Sequence, residues 1–92
     1  MKYKLNDNVM HYIDENKNSK YLINLDEKDV YVLDDVSSII INLFEENLTD
    51  EEVVDYIYEN LEHDLNYDVI KNDIASFIEI LLLNNFISAY EE

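Results

Sequence analysis

Among the side chains of this chain that could do chemistry are two histidines, one adjacent pair of serines and many carboxylates. A histidine beside a serine can act as the base of a nucleophilic site, and histidine with cysteine or carboxylate can bind a metal ion. His11 and His63 lie far apart in the sequence, and there is no cysteine to complete a zinc site. The sequence places no base beside Ser37 and Ser38, so a capping or packing role is expected for them. We therefore predict no enzyme activity, no metal site and no cofactor.

Two other kinds of site are excluded by residue type. The acidic turn Asp26–Asp29 lacks the glycine and the twelfth-position glutamate of a calcium-binding loop. The chain contains no glycine, so it cannot build a glycine-rich phosphate loop. Binding is therefore a better-supported class of function than catalysis.

The charge of the chain is large and unevenly distributed. Residues 1–28 hold five acids and five lysines, whereas the rest of the chain holds 17 acids and one cation, Lys71, which gives a net charge of −16. Such a surface repels nucleic acid, because binding there depends on Lys and Arg at the phosphates. It attracts a basic peptide or a basic protein surface. The alternative, that the acids only keep the protein soluble, stays open at this point.

The length of 92 residues predicts one domain over 1–92. Nearly half of the residues are apolar, which is enough for a small core and too many for a disordered acidic tail. No apolar run approaches the ~20 residues that span a bilayer. Because Met1–Leu5 also lacks the apolar core of a secretion signal, we expect a cytoplasmic protein without a membrane partner.

Three short strands are predicted in the first third of the chain. Val30–Leu33 is rich in β-branched and aromatic residues, which fit a pleated, half-buried surface. Val9–Ile13 and Tyr21–Leu25 precede it, and alternate residues from Tyr21 to Leu25 share one face. The connections are short enough for an antiparallel meander. Since Gly and Pro are absent, Asn, Asp and Ser must make the turns.

Three helices are predicted after the strands. Asp34 can cap the first helix, Thr49 and Glu52 form a capping box that opens a second helix to about His63, and Asn66 or Asp68 caps a third over residues 67–83. The apolar stripe of the first helix comprises Val36, Ile39, Ile40, Leu43 and Phe44. The buried stripe of the second helix comprises Val53, Ile57 and Leu61, with Val54 and Tyr58 beside them. Strands followed by helices favour an α+β, winged-helix-like fold, a three-stranded antiparallel sheet followed by a three-helix bundle.

The third helix carries two stripes of side chains. Its core face comprises Ile70, Ile74, Phe77, Ile78, Leu81 and Leu82, and a second stripe comprises Asp73, Ser76, Ile80 and Leu83. A helix of so small a domain usually buries one face, so the second stripe must pack on the sheet, a second copy of the chain, or a bound segment. Asn84–Asn85 ends the helix, Phe86 and Ile87 return to the core, and Tyr90–Glu92 is expected to fray.

The segment Tyr21–Ile87 resembles the PqqD-like family. The residues that carry the resemblance are Val30–Asp34, Ser37, Phe44–Thr49, Val53, Val54, Ile57, Val69–Leu82 and Asn85–Ile87. Asn85 stands where the family usually has glycine. Members of the family are recognition elements for ribosomally made peptides that are modified after translation.

The resemblance implies a non-catalytic adaptor. An unstructured leader peptide would add as a strand to the third strand and be held against the third helix. The residues that this implies for peptide binding are Val30, Tyr31, Val32 and Leu33 on the strand, and Asp73, Ser76, Phe77 and Ile80 on the helix. Asp73 could pair with a basic leader residue, and the partner enzyme would be a radical SAM maturase or a lasso-type leader peptidase and cyclase.

Two other functions compete with this prediction. An acidic winged-helix regulator could mimic nucleic acid, but a mimic should space its carboxylates as regularly as phosphates. On the third helix the carboxylates occur singly, and Ile80 and Leu83 intervene. A purely structural subunit that dimerises through the open strand or the second stripe is the third possibility.

Overall fold

The structure, a computed structural model, describes residues 1–91 and contains five strands and three helices within them. The strands are β1 Lys2–Leu5, β2 Val9–Asp14, β3 Ser19–Asn24, β4 Asp29–Leu33 and β5 Ile87–Tyr90. The helices are α1 Asp35–Glu45, α2 Asp50–Asn60 and α3 Tyr67–Leu83. The prediction of an α+β fold with an antiparallel three-stranded sheet and three helices is confirmed.

The three-stranded sheet has the order β2-β3-β4, with both pairs antiparallel. Its inner face, toward the helices, carries the fully buried Leu22 and Asn24, whereas Leu25 has left the strand and is exposed. Within residues 1–91, positive φ is found at Asn18, Lys28, Asn47 and Asn85. Lys28, in the turn from β3 to β4, is the exception to the expectation that Asn, Asp and Ser make the turns, whereas Asn85 takes over the glycine-like conformation with φ of 62°.

A second, two-stranded ribbon joins the ends of the chain and was not predicted. β1 pairs antiparallel with β5, so that Lys2 faces Tyr90 and Leu5 faces Ile87. The expectation that the C-terminus frays is therefore wrong for Tyr90, because the ladder and its hydroxyl bond to Asn47, at 2.7 Å, hold it in place. Glu92, included in that expectation, lies outside the described residues.

The helix starts follow the predicted caps. The carboxylate of Asp34 accepts the backbone N–H of Ser37 at 2.7 Å, and Thr49 and Glu52 form the reciprocal capping box at 3.0 and 3.1 Å. The backbone N–H of Thr49, which donates to the carboxylate of Glu52, is the main cause that holds the pKa of Glu52 below its usual value. The second helix ends at Asn60 rather than near His63, and Leu61 is 42% exposed. Assigning Leu61 to the buried stripe was wrong, because it lies at the C-cap, beyond the last full turn.

The core lies between the inner face of the sheet and the three helices. Its members include Leu22 and Leu33 from the sheet, Ile41 from α1, Ile57 from α2 and Leu81 from α3, and all are at most 5% exposed. On α3 the predicted core face holds for Ile70, Ile74, Ile78 and Leu81, but Phe77 is half-buried and Leu82 is 37% exposed. Phe77 is only half-buried because it lies at the margin of the core, next to the edge of the sheet.

Candidate functional site

The strand β4 forms one edge of the three-stranded sheet. Among residues 1–91, β3 pairs with one side of β4 and no strand pairs with the other. In an edge strand, alternate backbone N–H and C=O groups point away from the sheet and are free to pair with another chain. This open edge can therefore accept an extended peptide.

The side chains of β4 alternate between the two faces of the sheet. Tyr31 is half-buried and Leu33 is 5% exposed, and both point inward toward the helices. Val30 and Val32 point outward and are 57% and 75% exposed. Of the four strand residues predicted to bind peptide, Leu33 could therefore contribute only its backbone, because its side chain fills the core.

Helix α3 lies beside the open edge and forms the second wall of a groove. The ring of Tyr31 on β4 is 6.1 Å from the ring of Phe77 on α3, and also 6.1 Å from that of Phe86 after the helix. These distances fall within the range of attractive aromatic pairs. The aromatic cluster of Tyr31, Phe77 and Phe86 thus forms the floor where strand and helix approach each other.

One end of the groove opens into a cavity of about 190 Å³. Its lining includes Asp34 at the end of β4, and Asp73 and Phe77 on α3. Ile40, Ile57, Ile70 and Ile74 supply its apolar part, and Glu62 adds a further carboxylate. The cavity can accept an apolar side chain deep inside and a basic group at its acidic rim.

The other end of the groove is fixed by a network of asparagine side chains. Asn85, which follows α3, donates from Nδ2 to Oε1 of Glu27 at 3.3 Å in the turn before β4. The buried Asn24 accepts the backbone N–H groups of Asp26 and Glu27 at 3.1 and 3.0 Å, and its Nδ2 donates to the carbonyl of Asn85 at 3.4 Å. Asp73 lies near Asp34 at the end of β4, and Asn85 lies near Glu27 before its start, so α3 runs antiparallel to β4. The asparagine network sets the width of the groove at this end.

The other two predicted helix residues lie along the exposed side of α3. Ser76 is exposed and Ile80 is 41% exposed. The last member of the second stripe, Leu83, is 74% exposed. Most of the second stripe therefore lies on the exposed side of α3, away from the core.

A larger cavity of about 390 Å³ lies on the opposite side of α3, against α2. Its rim includes Asp50, Glu51, Asp55 and Lys71. The hydroxyl of Tyr67 donates to the carboxylate of Asp55 at 2.6 Å, which raises the pKa of Tyr67. This cavity contains none of the residues predicted to bind peptide.

The structure also brings a histidine to Ser38, a contact that no local sequence pattern indicates. Nε2 of His11 lies 2.8 Å from Oγ of Ser38, and its Nδ1 lies 3.5 Å from Oε1 of Glu45. The order serine, histidine, carboxylate is that of a nucleophilic triad. Ser38, however, is 3% exposed and lines neither cavity described above, so its side chain is covered by the protein. The contact instead fixes β2 on α1.

The described part of the chain has neither a cluster of metal-binding side chains nor a membrane-spanning helix. Residues 1–91 contain no group of three or more His, Cys, Asp or Glu side chains placed to hold a metal ion. Within the same residues, no helix is both long and apolar enough to cross a membrane.

Comparison with known proteins identifies two solved structures with the same fold. TbiB1 in complex with the TbiA(beta) leader peptide is 25% identical, with a TM-score of 0.81, over 97% of this chain and 99% of that chain. A lasso peptide synthetase B1 complexed with the leader peptide is 13% identical, with a TM-score of 0.84, over 97% and 100%. No family model and no curated protein matches the sequence. The chain has the fold of these two leader-bound B1 proteins, which confirms the fold expected from the resemblance to the PqqD-like recognition elements.

Proposed function

We propose that this protein binds the leader segment of a ribosomally made precursor peptide as an added strand on β4, against α3. The observation that carries the proposal is the open edge of β4 beside α3, with the Tyr31–Phe77 pair at the floor of the groove between them. Two proteins that share this fold over nearly their whole length are bound to leader peptides. The protein would hold the leader for a separate modifying enzyme, a radical SAM maturase or a lasso-type leader peptidase, and do no chemistry itself.

Side chains, rather than the backbone, must select the leader. Each main-chain hydrogen bond contributes only about 0.5–1.5 kcal/mol net, and any extended peptide can form it. An apolar anchor that becomes fully buried contributes about 1.5–3 kcal/mol. The cavity that Phe77 and Asp73 line is the place for such an anchor, and ordering the flexible leader offsets part of the gain.

The charge of the groove favours a basic leader. Asp34, Glu62 and Asp73 surround the cavity at one end, and Lys71 on α3 faces the other cavity instead. A leader Lys or Arg near its apolar anchor would therefore lie against carboxylates. Charge pairs of this kind increase the association rate and select the partner more than they add affinity.

Backbone pairing can be tested on the peptide side. The probe is a synthetic peptide covering the N-terminal part of the short open reading frame nearest to the gene for this protein. It is titrated by calorimetry together with copies N-methylated at one residue each. An added strand has only alternate N–H groups bonded to β4, so we expect affinity to fall at every second position.

The same series contains its own control, because positions between the sensitive ones carry the same methyl group. Equal losses at successive positions would indicate a bound helix or loop and contradict strand addition. No binding of the unmodified leader would reject the proposed function altogether.

A further inference from the structure

The outer face of the three-stranded sheet, which points away from the helices, carries an unpartnered apolar surface. The strand register aligns the outward side chains in two rows that cross the sheet, and each row takes one residue from each of the three strands. We call these six residues the sheet patch: Met10, Ile23 and Val30 in one row, and Tyr12, Tyr21 and Val32 in the other. The intervening residues on the same strands, such as Leu22, point inward.

The sheet patch is exposed along both of its outer strands. Met10 and Tyr12 on β2 are 49% and 41% exposed, and Val30 and Val32 on β4 are 57% and 75% exposed. The rings of Tyr12 and Tyr21 lie 5.1 Å apart and cover the centre. Single exposed apolar side chains are normal on a protein surface, but a contiguous set of this kind marks an interaction surface.

We propose that the sheet patch is the docking surface of the enzyme that processes the bound leader. The inference rests on the proposed function and adds to it the location and the chemistry of the second partner. That partner would present an apolar patch with a neutral or basic surround.

The position of β4 links this surface to the leader site. Val30 and Val32 belong both to the strand that would pair with the leader and to the sheet patch. A strand added beside β4 continues the pleat of the sheet, so its outward side chains would lie in line with the two rows and lengthen each row by one residue. An enzyme on the sheet patch would therefore contact the leader directly, and would distinguish the loaded protein from the empty one.

The charge distribution argues against a second copy as the occupant. The sheet comes largely from residues 1–28, where acids and lysines are balanced, whereas the helices carry nearly all of the net charge of −16. Two copies that met here would bring two such anions together, which opposes self-association. The neutral face is the part of the molecule that an apolar surface of another protein can approach without an opposing charge, and Tyr and Met are enriched in the cores of such interfaces.

The test uses two double variants with matched exposure. Met10→Thr with Tyr12→Thr removes apolar area from β2, two strands away from the leader edge, and keeps good strand formers. The control is Tyr56→Gln with Leu65→Gln, which removes side chains of 41% and 47% exposure on the helical side. For each protein we would measure the affinity for the synthetic leader described above. We would also measure the affinity for the purified enzyme encoded nearest to the same reading frame, with the leader present and absent.

We expect the β2 double variant to bind the leader as the wild type does and to lose about tenfold or more in affinity for the enzyme. The helical control should retain both affinities. An unchanged affinity for the enzyme in the β2 variant would overturn the inference. The inference would also be overturned, in favour of a second copy, if sedimentation showed that the wild type is a dimer and the β2 double variant a monomer. If the wild type binds no leader, the proposed function itself fails.

Discussion

Phe77 is the residue on which the helical wall of the groove most depends. It is half-buried and lies 6.1 Å from Tyr31, so its ring lies at the junction of strand and helix. We expect Phe77→Ala to lower leader affinity about tenfold or more, because it removes the apolar surface against which an anchor would pack. Calorimetric titration with the leader measures the change.

The control for Phe77 lies on the same helix but on its other side. Leu82 is 37% exposed, and its spacing from Ala75 and Ile78 places it on the side of α3 that lines the larger cavity. We expect Leu82→Ala to leave leader affinity unchanged. Equal losses for the two variants would show that the effect comes from general destabilisation of α3 rather than from the groove.

Asp73 is expected to act through its charge. Asp73→Asn keeps the size of the side chain, so we expect affinity for a basic leader to fall by a factor of about 2 to 5, as for an exposed ion pair. Glu79→Gln removes the same charge from an exposed position of α3 outside the groove cavity and should have no such effect. A comparable loss from Glu79→Gln would mean that only the total charge of the helix matters.

At this scale the helical spacing predicted the burial of side chains better than the strand pattern did. The spacing on the third helix correctly separated Ile74 and Ile78 in the core from Ser76 and Ile80 outside it. Whether Leu33 points inward or outward depends on the register of the sheet, which the local pattern does not contain. The contact of His11 with Ser38, at 2.8 Å, joins residues that are distant in sequence, and no local signal indicates it.

Among the elements, the turn from β3 to β4 is the one that positions the open edge. The side chain of Asn24 is fully buried and joins this turn to the end of α3. It also accepts a hydrogen bond from Nδ2 of Asn8, at 2.8 Å. A single amide thus accepts three hydrogen bonds from two segments and donates one to a third, and its loss would leave the three donors without this acceptor.

We expect Asn24→Ala to lower the free energy of unfolding by about 1–3 kcal/mol, because buried donors lose their acceptor. It should also weaken leader binding, since β4 is then no longer held at a fixed distance from α3. Urea unfolding and leader titration measure the two effects. The control is Asn16→Ala in the exposed turn from β2 to β3, which should change neither. Full leader affinity in a folded Asn24→Ala protein would contradict the positioning role.

The elements that local patterns indicate were predicted, and those that depend on distant partners were not. The strands β2 to β4 and the three helices have their own periodicity and caps, and each was found. β1 and β5 are four residues each and pair across nearly the whole chain, so neither has a local reason to be recognised. The second stripe of α3 was predicted from helical spacing, but the apolar outer face of the sheet was not, because apolar alternation does not say which side of a strand meets the core.

At the scale of the whole molecule, the net charge of −16 separates two accounts of the acids. If they attract a basic leader, its affinity should fall as salt is raised, because the Debye length shrinks from about 10 Å at 0.1 M to about 3 Å at 1 M. Titrations at several salt concentrations measure the slope, and most of the loss should lie in the association rate. A flat response would leave solubility as the role of the acids.

The shape of the molecule also bears on the competing prediction of a nucleic-acid mimic. A mimic needs a regular row of carboxylates, whereas the exposed side of α3 alternates Asp73 with Ser76, Ile80 and Leu83. The groove beside this stripe is apolar at its floor and acidic at one end, which suits a peptide with an apolar anchor and a basic residue. The open edge has no use in a mimic.

The most direct test of the account is backbone amide hydrogen exchange of residues 29–33 with and without the leader peptide. Strand addition predicts that the leader slows exchange at alternate residues of β4, because their outward N–H groups become bonded. The same experiment should show little change on β2, the other edge of the sheet. Unchanged exchange on β4, with protection elsewhere in the molecule, would contradict the account.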